Sequence, residues 1–127
     1  MIVADTDVLI DFLRGRDSAD RVALELKKGR ICTTVISAFE LWAGAKTSQQ
    51  AAAVETLLHA LLILPLESQS ARRAGEIQST LEKKGNAIGM ADSLIAGICL
   101  EHDRLLLTRN RKHFERVSGL QLCDSAK

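Results

Sequence analysis

Short, unbroken apolar runs alternate along the chain with segments in which apolar residues recur every three or four positions. The short runs are typical of strands buried on both faces, because parallel strands covered by helices show no polar alternation. Pro65 lies in the third run and predicts an edge strand, since proline cannot donate to a sheet ladder. The runs predict strands over residues 2–5, 31–35, 62–66, 105–108 and 120–123.

The periodic segments between these runs predict helices, and several carry end signals. Gly15 follows the first helix and Gly85 the fifth, as expected where a helix ends in a left-handed residue. The second helix is predicted to begin after the capping residues 17–18. It is predicted to end at the basic residues 27–28, which a glycine follows. The other helices are predicted over residues 7–13, 37–46, 49–61, 70–84 and 91–102. This order of strands and helices predicts an α/β fold with a mostly parallel sheet.

Length and composition predict a single domain, residues 1–127. The chain is 46% hydrophobic and 26% charged, which indicates a soluble globular protein rather than a disordered one. No apolar run is long enough to span a membrane, and the N-terminus lacks a signal-peptide pattern. Cys32, Cys99 and Cys123 show no disulfide or zinc spacing and are expected to be small buried residues in a reducing cytoplasm. The formal net charge of +1 means that any nucleic-acid surface must be local.

Three acidic residues stand next to or within apolar segments. Asp5 ends the first apolar run, Glu40 lies in the third predicted helix, and Asp92 opens the apolar pattern of the last. Taken singly, Asp92 is better explained as an acid at the start of a helix, and Asp5 reads equally well as a turn or cap residue. A glutamate on a helix is usually solvated. If the fold gathers the three, their mutual repulsion favours a divalent cation. Such a cluster indicates metal-dependent chemistry on a phosphate-containing substrate.

Glu40 is the most informative of the three. At helical spacing its neighbours are Ile36 and Ala43, and Phe39 is adjacent in sequence. This pattern predicts that Glu40 shares a core-facing stripe, where a solvated glutamate would not be placed.

Basic residues cluster near the end of the fourth predicted strand. The stretch comprises Arg109, Arg111, Lys112, His113 and Arg116, and Arg14 and Arg16 follow the first helix. The commoner fate of such a stretch is a solvated loop, but beside a carboxylate cluster it would hold the phosphates that flank the scissile one. None of the three histidines has a clear partner in the sequence. The aromatic content is only 3%, so base stacking is not expected to dominate recognition.

Four segments together are similar to PIN-domain ribonucleases and, among them, to the VapC toxins of bacterial and archaeal toxin–antitoxin pairs. They are ADTDVLIDFLRG at 4–15, ISAFELWAGA at 36–45, IGMADSLIAG at 88–97 and LLLTRNRKHFERVSGL at 105–120. Each motif is weak alone, but four in order are specific, and the likeness covers nearly the whole chain. The resemblance implies a three-layer α/β/α sandwich and RNA hydrolysis that depends on Mg²⁺ or Mn²⁺.

Carried over by position, the resemblance assigns the acidic metal and catalytic site to Asp5, Glu40 and Asp92. It assigns supporting roles to Thr6, Thr108 and Asn110, and Asp7 stands where the family has Asn or Asp. One position departs from the pattern. The family places a further acid just before the residue that corresponds to Phe114, and here that residue is His113. The missing charge favours a one-metal over a two-metal mechanism.

The expected reaction is attack of an activated water on an RNA phosphate, leaving 5′-phosphate and 3′-hydroxyl ends. Transfer, ribosomal and messenger RNA all remain open as substrates. The resemblance also implies a VapB-type antitoxin, whose amphipathic helix would occupy an apolar groove. Helices around Phe39, Trp42 and residues 57–62 are candidates for that groove, although Trp42 fits core packing equally well. A homodimer is the default assembly, with a higher toxin–antitoxin assembly built from it.

Two other functions fit part of the sequence. A degenerate PIN domain would bind RNA or a partner without cleavage, and His113 favours that alternative. A haloacid-dehalogenase-like phosphatase would use Asp5 as a covalent nucleophile and Asp7 as an acid. That class also needs a downstream lysine and usually a paired acidic motif, whereas the segment GMADS at 89–93 has only one acid. It also leaves Glu40 unexplained.

Overall fold

The centre of the molecule is a four-stranded parallel sheet. The structure is a computed structural model that describes residues 1–124. The strand order is β3-β2-β1-β4, and every neighbouring pair is parallel. Val3 lies opposite Cys32 on one side and Leu106 on the other, so the first strand is central. The strands are β1 (Ile2–Ala4), β2 (Ile31–Thr34), β3 (Leu62–Leu64) and β4 (Leu105–Leu107).

Helices cover both faces of this sheet. One hydrophobic cluster joins the sheet to the first four helices, and a second joins it to the last three. The helices are α1 (Thr6–Arg14), α2 (Ala19–Lys27), α3 (Val35–Gly44), α4 (Ser48–His59), α5 (Ser68–Lys83), α6 (Met90–Glu101) and α7 (Arg111–Phe114).

Successive strand residues belong to opposite clusters. Ala4 and Leu107 pack into the first cluster, whereas Val3 and Leu106 pack into the second. All four are fully buried, which explains why the apolar runs show no alternation. The predicted three-layer α/β/α sandwich with a parallel sheet is therefore confirmed.

The predicted element bounds are off by one or two residues for physical reasons. The second strand ends at Thr34, one residue early, because the Thr34 hydroxyl accepts the Ser37 N–H at 3.1 Å and caps α3. The third strand ends at Leu64, before Pro65, and lies at the sheet edge as predicted.

The C-terminal region differs most from the prediction. Residues 120–123 do not form a full strand, because within the described part of the chain only Leu122 makes a bridge, to Leu106. The basic stretch predicted as a loop contains the short helix α7. Its last residue, Phe114, is fully buried, and this anchor fixes the backbone of the preceding residues.

The three cysteines are buried free thiols, as predicted. Burial raises the pKa of Cys99, so its thiol stays protonated at neutral pH. Within residues 1–124, no helix has the length and apolar character needed to cross a membrane.

The carboxyl ends of the strands define the edge where polar side chains gather. Asp5 follows β1 and Thr108 follows β4, and these two strands are hydrogen-bonded neighbours. Because parallel strands end at the same edge, the fold brings both side chains together, as expected for ligand sites in open α/β sheets.

Candidate active site

Asp5 lies at the centre of the polar edge. It is the N-cap of α1, where Oδ1 accepts the Thr6 N–H at 2.8 Å, and Oδ2 accepts the Thr108 hydroxyl at 2.7 Å. The residue is only 5% exposed. Burial, followed by repulsion from Asp7, raises the pKa of Asp5 to about 7 despite these hydrogen bonds, and Asp92 adds to the rise. A nearby cation would reverse this shift by favouring the charged form.

Glu40 is held at the site by Thr6. The Thr6 hydroxyl lies 2.6 Å from Glu40 Oε1 and 2.9 Å from the hydroxyl of Ser37, one turn earlier on α3. The single side chain of Thr6 thus links α1 to α3. Because Thr6 also donates its N–H to Asp5, it connects two of the three predicted acids directly.

The prediction that Glu40 shares a core-facing stripe is wrong. Phe39 is 69% exposed and Ala43 is also exposed, while Glu40 itself is half-buried. The core side of α3 is formed instead by Ala38 and Leu41. Glu40 lies at the border between the two sides, where a carboxylate keeps contact with solvent.

Asp92 lies in the first turn of α6 and faces residues around α7. Its Oδ2 accepts the Asn110 side-chain N–H at 3.2 Å and lies 2.9 Å from His113 Nδ1. Asn110 Nδ2 is itself 2.9 Å from the same ring nitrogen. His113 therefore has a partner that its sequence context did not indicate.

Thr108 joins the two halves of the site. Its hydroxyl donates to Asp5 and accepts the Asn110 backbone N–H at 2.9 Å. Hydrogen bonds therefore run without a break from Glu40 through Thr6, Asp5, Thr108 and Asn110 to Asp92 and His113. The fold brings together all three predicted acids and all three predicted supporting residues.

Asp7 is a site residue that the predicted set omitted. Its Oδ2 accepts the Arg109 backbone N–H at 3.1 Å and lies 3.5 Å from the Thr108 hydroxyl. Its Oδ1 is buried and has no hydrogen-bond partner among residues 1–124. Burial raises the pKa of Asp7, and the Arg109 N–H offsets only part of the rise. The sequence signal was the Asp-Thr-Asp motif, which places a second acid at the start of α1.

Arg109 forms an ion pair with a buried carboxylate. Its Nε lies 2.7 Å from Asp11 Oδ2, and its Nη2 lies 3.1 Å from Asp11 Oδ1, in a bidentate pair. Asp11 is fully buried and one helical turn beyond Asp7. This pairing counts against the predicted contact of Arg109 with RNA phosphates.

The other basic residues differ in how freely they can reach a phosphate. Arg111 donates to the Cys123 carbonyl at 2.6 Å, and Arg116 lies 3.3 Å from the Asn86 carbonyl. Lys112 is exposed on α7. Arg14 lines a cleft of about 220 Å³ between α1, α3 and α4 that also contains Glu40. Lys112 and Arg14 are thus the best-placed cations for substrate.

The surface predicted for antitoxin binding is only partly as expected. Phe39 and Trp42 are 69% and 44% exposed, so Trp42 is not simply a core residue. Within residues 57–62, Leu57, Leu58 and Leu61 are instead buried in the core, whereas Leu62 is exposed. The apolar surface of this region therefore belongs mainly to α3 and to the cleft beside it.

The donor chemistry of the site fits a hydrated divalent cation. Within residues 1–124, no three His, Cys, Asp or Glu side chains are gathered closely enough to enclose an ion by themselves. Mg²⁺ commonly binds one or two carboxylates and keeps several waters, so such a cage is not required. A cation bound here would relieve the mutual repulsion at Asp5 and would give the buried Asp7 Oδ1 a partner.

Comparison with known proteins gives consistent similarities to one family. The PIN domain family model matches residues 2–120. Ribonuclease VapC10 from Mycobacterium tuberculosis is 36% identical over 122 residues, which cover 95% of this chain and 91% of the relative. The tRNA(fMet)-specific endonuclease VapC from Salmonella typhimurium is 30% identical over 124 residues and 94% of each chain. A solved structure of VapBC-1 from nontypeable Haemophilus influenzae matches with a TM-score of 0.83 and 31% identity over 100% of both chains.

Proposed function

The chain belongs to the PIN domain family, and from that premise we propose that it is an endoribonuclease of the VapC type, the toxin of a toxin–antitoxin pair. Its relatives across nearly the full chain are named as ribonucleases or as a tRNA endonuclease. The family implies use of a divalent metal ion, and we propose Mg²⁺ or Mn²⁺ in particular. RNA hydrolysis in the cytoplasm is the activity that follows.

The observation that carries the proposal is the unbroken hydrogen-bond chain from Glu40 to Asp92. It holds three acids from α3, the end of β1 and α6 at one edge of the sheet. Residues that only cap helices would not need cross-links between elements this distant in sequence. Positioning of a reactive group by such supporting contacts is a requirement of catalysis.

In the proposed reaction, Asp5, Glu40 and Asp92 would hold the ion. Once bound, the ion supplies Lewis-acid polarisation of the phosphate and a lower pKa for the attacking water. Thr6 and Thr108 fix the Asp5 carboxylate from both sides, and Asn110 orients Asp92. These hydrogen bonds hold the carboxylates in position, so the ion would bind without a large rearrangement of the side chains.

RNA would approach the site through its phosphates. Lys112 is exposed beside His113, and Arg14 lines the cleft at Glu40. These cations flank the acids on two sides and would neutralise neighbouring phosphates. Arg111 contributes only after releasing the Cys123 carbonyl.

A VapB-type antitoxin is the proposed protein partner, since a solved relative is a VapBC structure. The cleft beside Glu40 and the exposed Phe39 and Trp42 would receive an apolar antitoxin helix. A toxin homodimer, enlarged by antitoxin binding, is the proposed assembly.

The family match makes the phosphatase alternative wrong, because it assigns residues 2–120 to a different fold. A degenerate PIN domain without cleavage remains the alternative that experiment must separate. His113 is the departure that motivates it.

The deciding experiment incubates antitoxin-free protein with total RNA and, separately, with initiator tRNA, in Mg²⁺ or Mn²⁺. Initiator tRNA is included because one relative is named for it. Asp5→Asn and Asp92→Asn should abolish cleavage, as should EDTA. Glu82→Gln, an exposed acid on α5, should leave it unchanged. Equal cleavage by the wild type and both site variants, or no cleavage by folded wild-type protein in either metal, would overturn the proposal.

A further inference from the structure

His113 occupies a position at which the resemblance expects an acid, and it makes an unusual contact there. Three polar atoms lie within 3.2 Å of one another: Asp92 Oδ2, Asn110 Nδ2 and His113 Nδ1. The His113 side chain is 39% exposed and that of Asp92 is 21% exposed. The cluster is therefore open to solutes yet held in place by its neighbours.

Protons cannot satisfy all three contacts of this triangle at once. If His113 Nδ1 carries hydrogen and donates to Asp92, it meets the Asn110 amide donor at 2.9 Å without a bond. If Nδ1 accepts from Asn110, its lone pair faces the Asp92 carboxylate oxygen at 2.9 Å. Rotating the Asn110 amide so that its oxygen and nitrogen exchange places would instead put its oxygen beside Asp92 Oδ2. Two acceptors would then face each other.

A shared cation removes the repulsion between the His113 lone pair and the Asp92 oxygen. With His113 Nδ1 unprotonated, its lone pair and the Asp92 oxygen both suit one ion, while Asn110 still donates to Asp92. Two adjacent ligands of an octahedral ion at about 2.1 Å lie roughly 3 Å apart. The observed 2.9 Å between His113 Nδ1 and Asp92 Oδ2 is consistent with this separation.

The backbone of His113 is fixed in place. The next residue, Phe114, is fully buried in the second hydrophobic cluster. Arg111, at the start of α7, is tied to the Cys123 carbonyl at 2.6 Å. The imidazole therefore stands beside Asp92 on a short helix anchored at both ends, which lowers the cost of ordering it around an ion.

We propose that His113 is a nitrogen ligand of the divalent ion held at Asp92, and that it makes the site select a first-row transition ion such as Mn²⁺ over Mg²⁺. The inference rests on the proposed metal-dependent function. Mg²⁺ prefers oxygen ligands, whereas imidazole suits most first-row transition ions. Mn²⁺ also favours oxygen, but as a member of the transition series it accepts a nitrogen ligand more readily than Mg²⁺ does. Replacing the expected carboxylate by imidazole thus removes a negative charge that favours Mg²⁺. It also adds a nitrogen ligand, which Mg²⁺ binds poorly.

The direct test is electron spin echo spectroscopy of the Mn²⁺-loaded protein, which detects a nitrogen bound to manganese. The wild type should show ¹⁴N modulation, and His113→Gln should lose it. His59→Gln, on the exposed end of α4, is the matched control and should retain it. Absence of ¹⁴N modulation from the Mn²⁺-loaded wild type would overturn the proposal.

Calorimetric titration of Mn²⁺ and Mg²⁺ tests the selectivity. His113→Gln should weaken Mn²⁺ binding by at least about 10-fold, since loss of even an outer-shell partner of a metal ligand costs that much, and leave Mg²⁺ binding nearly unchanged. His113→Asp should instead strengthen Mg²⁺ binding. Equal weakening of both ions in His113→Gln would mean that the residue only positions Asp92, and the proposal would fall.

Carboxylate variants separate this inference from the proposed function. If Asp5→Asn and Asp92→Asn abolish Mn²⁺ binding but His113→Gln does not change it, the metal site stands and the role of His113 falls. If neither Mn²⁺ nor Mg²⁺ binds to the wild type, or both bind regardless of the two acids, the proposed function itself fails and the ligand assignment fails with it. If Mg²⁺ binds and Mn²⁺ does not, only the role of His113 is contradicted.

Discussion

The Thr108 hydroxyl donates a hydrogen bond of 2.7 Å to Asp5 Oδ2, although 103 residues separate the two in sequence. The contact follows from strand pairing, since Ala4 lies opposite Leu107 in the parallel register. Each strand then ends in a polar residue at the same edge. The sheet thus builds the centre of the site, and later contacts extend it to Glu40 and Asp92.

Replacing Thr108 by Val should destabilise the protein and weaken the site. The change keeps the side-chain shape but removes the donor to Asp5 and the acceptor of the Asn110 N–H. Leaving such buried groups unpaired costs about 1–3 kcal/mol of the free energy of unfolding, measured by urea denaturation. Thr108→Ser keeps the hydroxyl and should retain most of the stability and cleavage. A Val variant as stable as the wild type would show that the bond contributes nothing.

Asp5→Asn should stabilise the metal-free protein at pH 8. The carboxyl group binds its proton more tightly in the folded state, with a pKa of about 7, than in the unfolded chain, where the pKa is near 3.8. Between these values the folded state holds more protons, so the free energy of unfolding falls as pH rises and levels off above 7. Removing the group should raise this free energy by about 2–4 kcal/mol at pH 8 and by little below pH 3.

Denaturation of both proteins across this pH range checks the prediction. Addition of Mn²⁺ should stabilise the wild type but not Asp5→Asn, because the ion binds only the charged site. A constant stability difference from acid to alkaline pH would show that Asp5 does not titrate abnormally.

The sequence predicted the sheet well because its signals are local. Unbroken runs such as 105–108 identify strands buried on both faces, and Asp5 is recognisable because it ends one of them. Residues 120–123 looked similar, but their partner strand offers only a single bridge at Leu106. Whether an apolar run joins a sheet depends on the neighbouring chain, which local pattern does not contain.

The site was harder to predict where tertiary contacts decide it. Helical spacing placed Glu40 in the core, but the contacts of α3 put Phe39 in solvent and Glu40 against Thr6. His113 gained its partner because buried Phe114 fixes α7 beside α6. Nothing in the local sequence distinguishes a basic loop from that helix.

Arg109→Met should cost about 3–5 kcal/mol of the free energy of unfolding. The substitution keeps much of the apolar stem but leaves the fully buried Asp11 carboxylate without its bidentate partner. Urea denaturation measures the loss. Arg73→Met is the matched control, because Arg73 and Glu101 form an exposed pair at 3.7 Å that is worth less than about 1 kcal/mol. Similar losses in both variants would show that burial of Asp11 is not what makes the Arg109 pair matter.

Gly97→Ala and Gly75→Ala should change stability in opposite directions, although both lie within helices of the same packed pair. A Cβ at Gly97 would lie 2.6 Å from the Ser70 carbonyl oxygen and 2.9 Å from the Ala74 nitrogen, so α5 and α6 would have to separate. Such overpacking costs about 1–3 kcal/mol. A Cβ at Gly75 meets no atom of residues 1–124 within 4 Å, so the better helix propensity of alanine should add about 0.5–1 kcal/mol. Thermal or urea denaturation measures both, and a Gly97→Ala variant as stable as the wild type would contradict the close approach of the two helices.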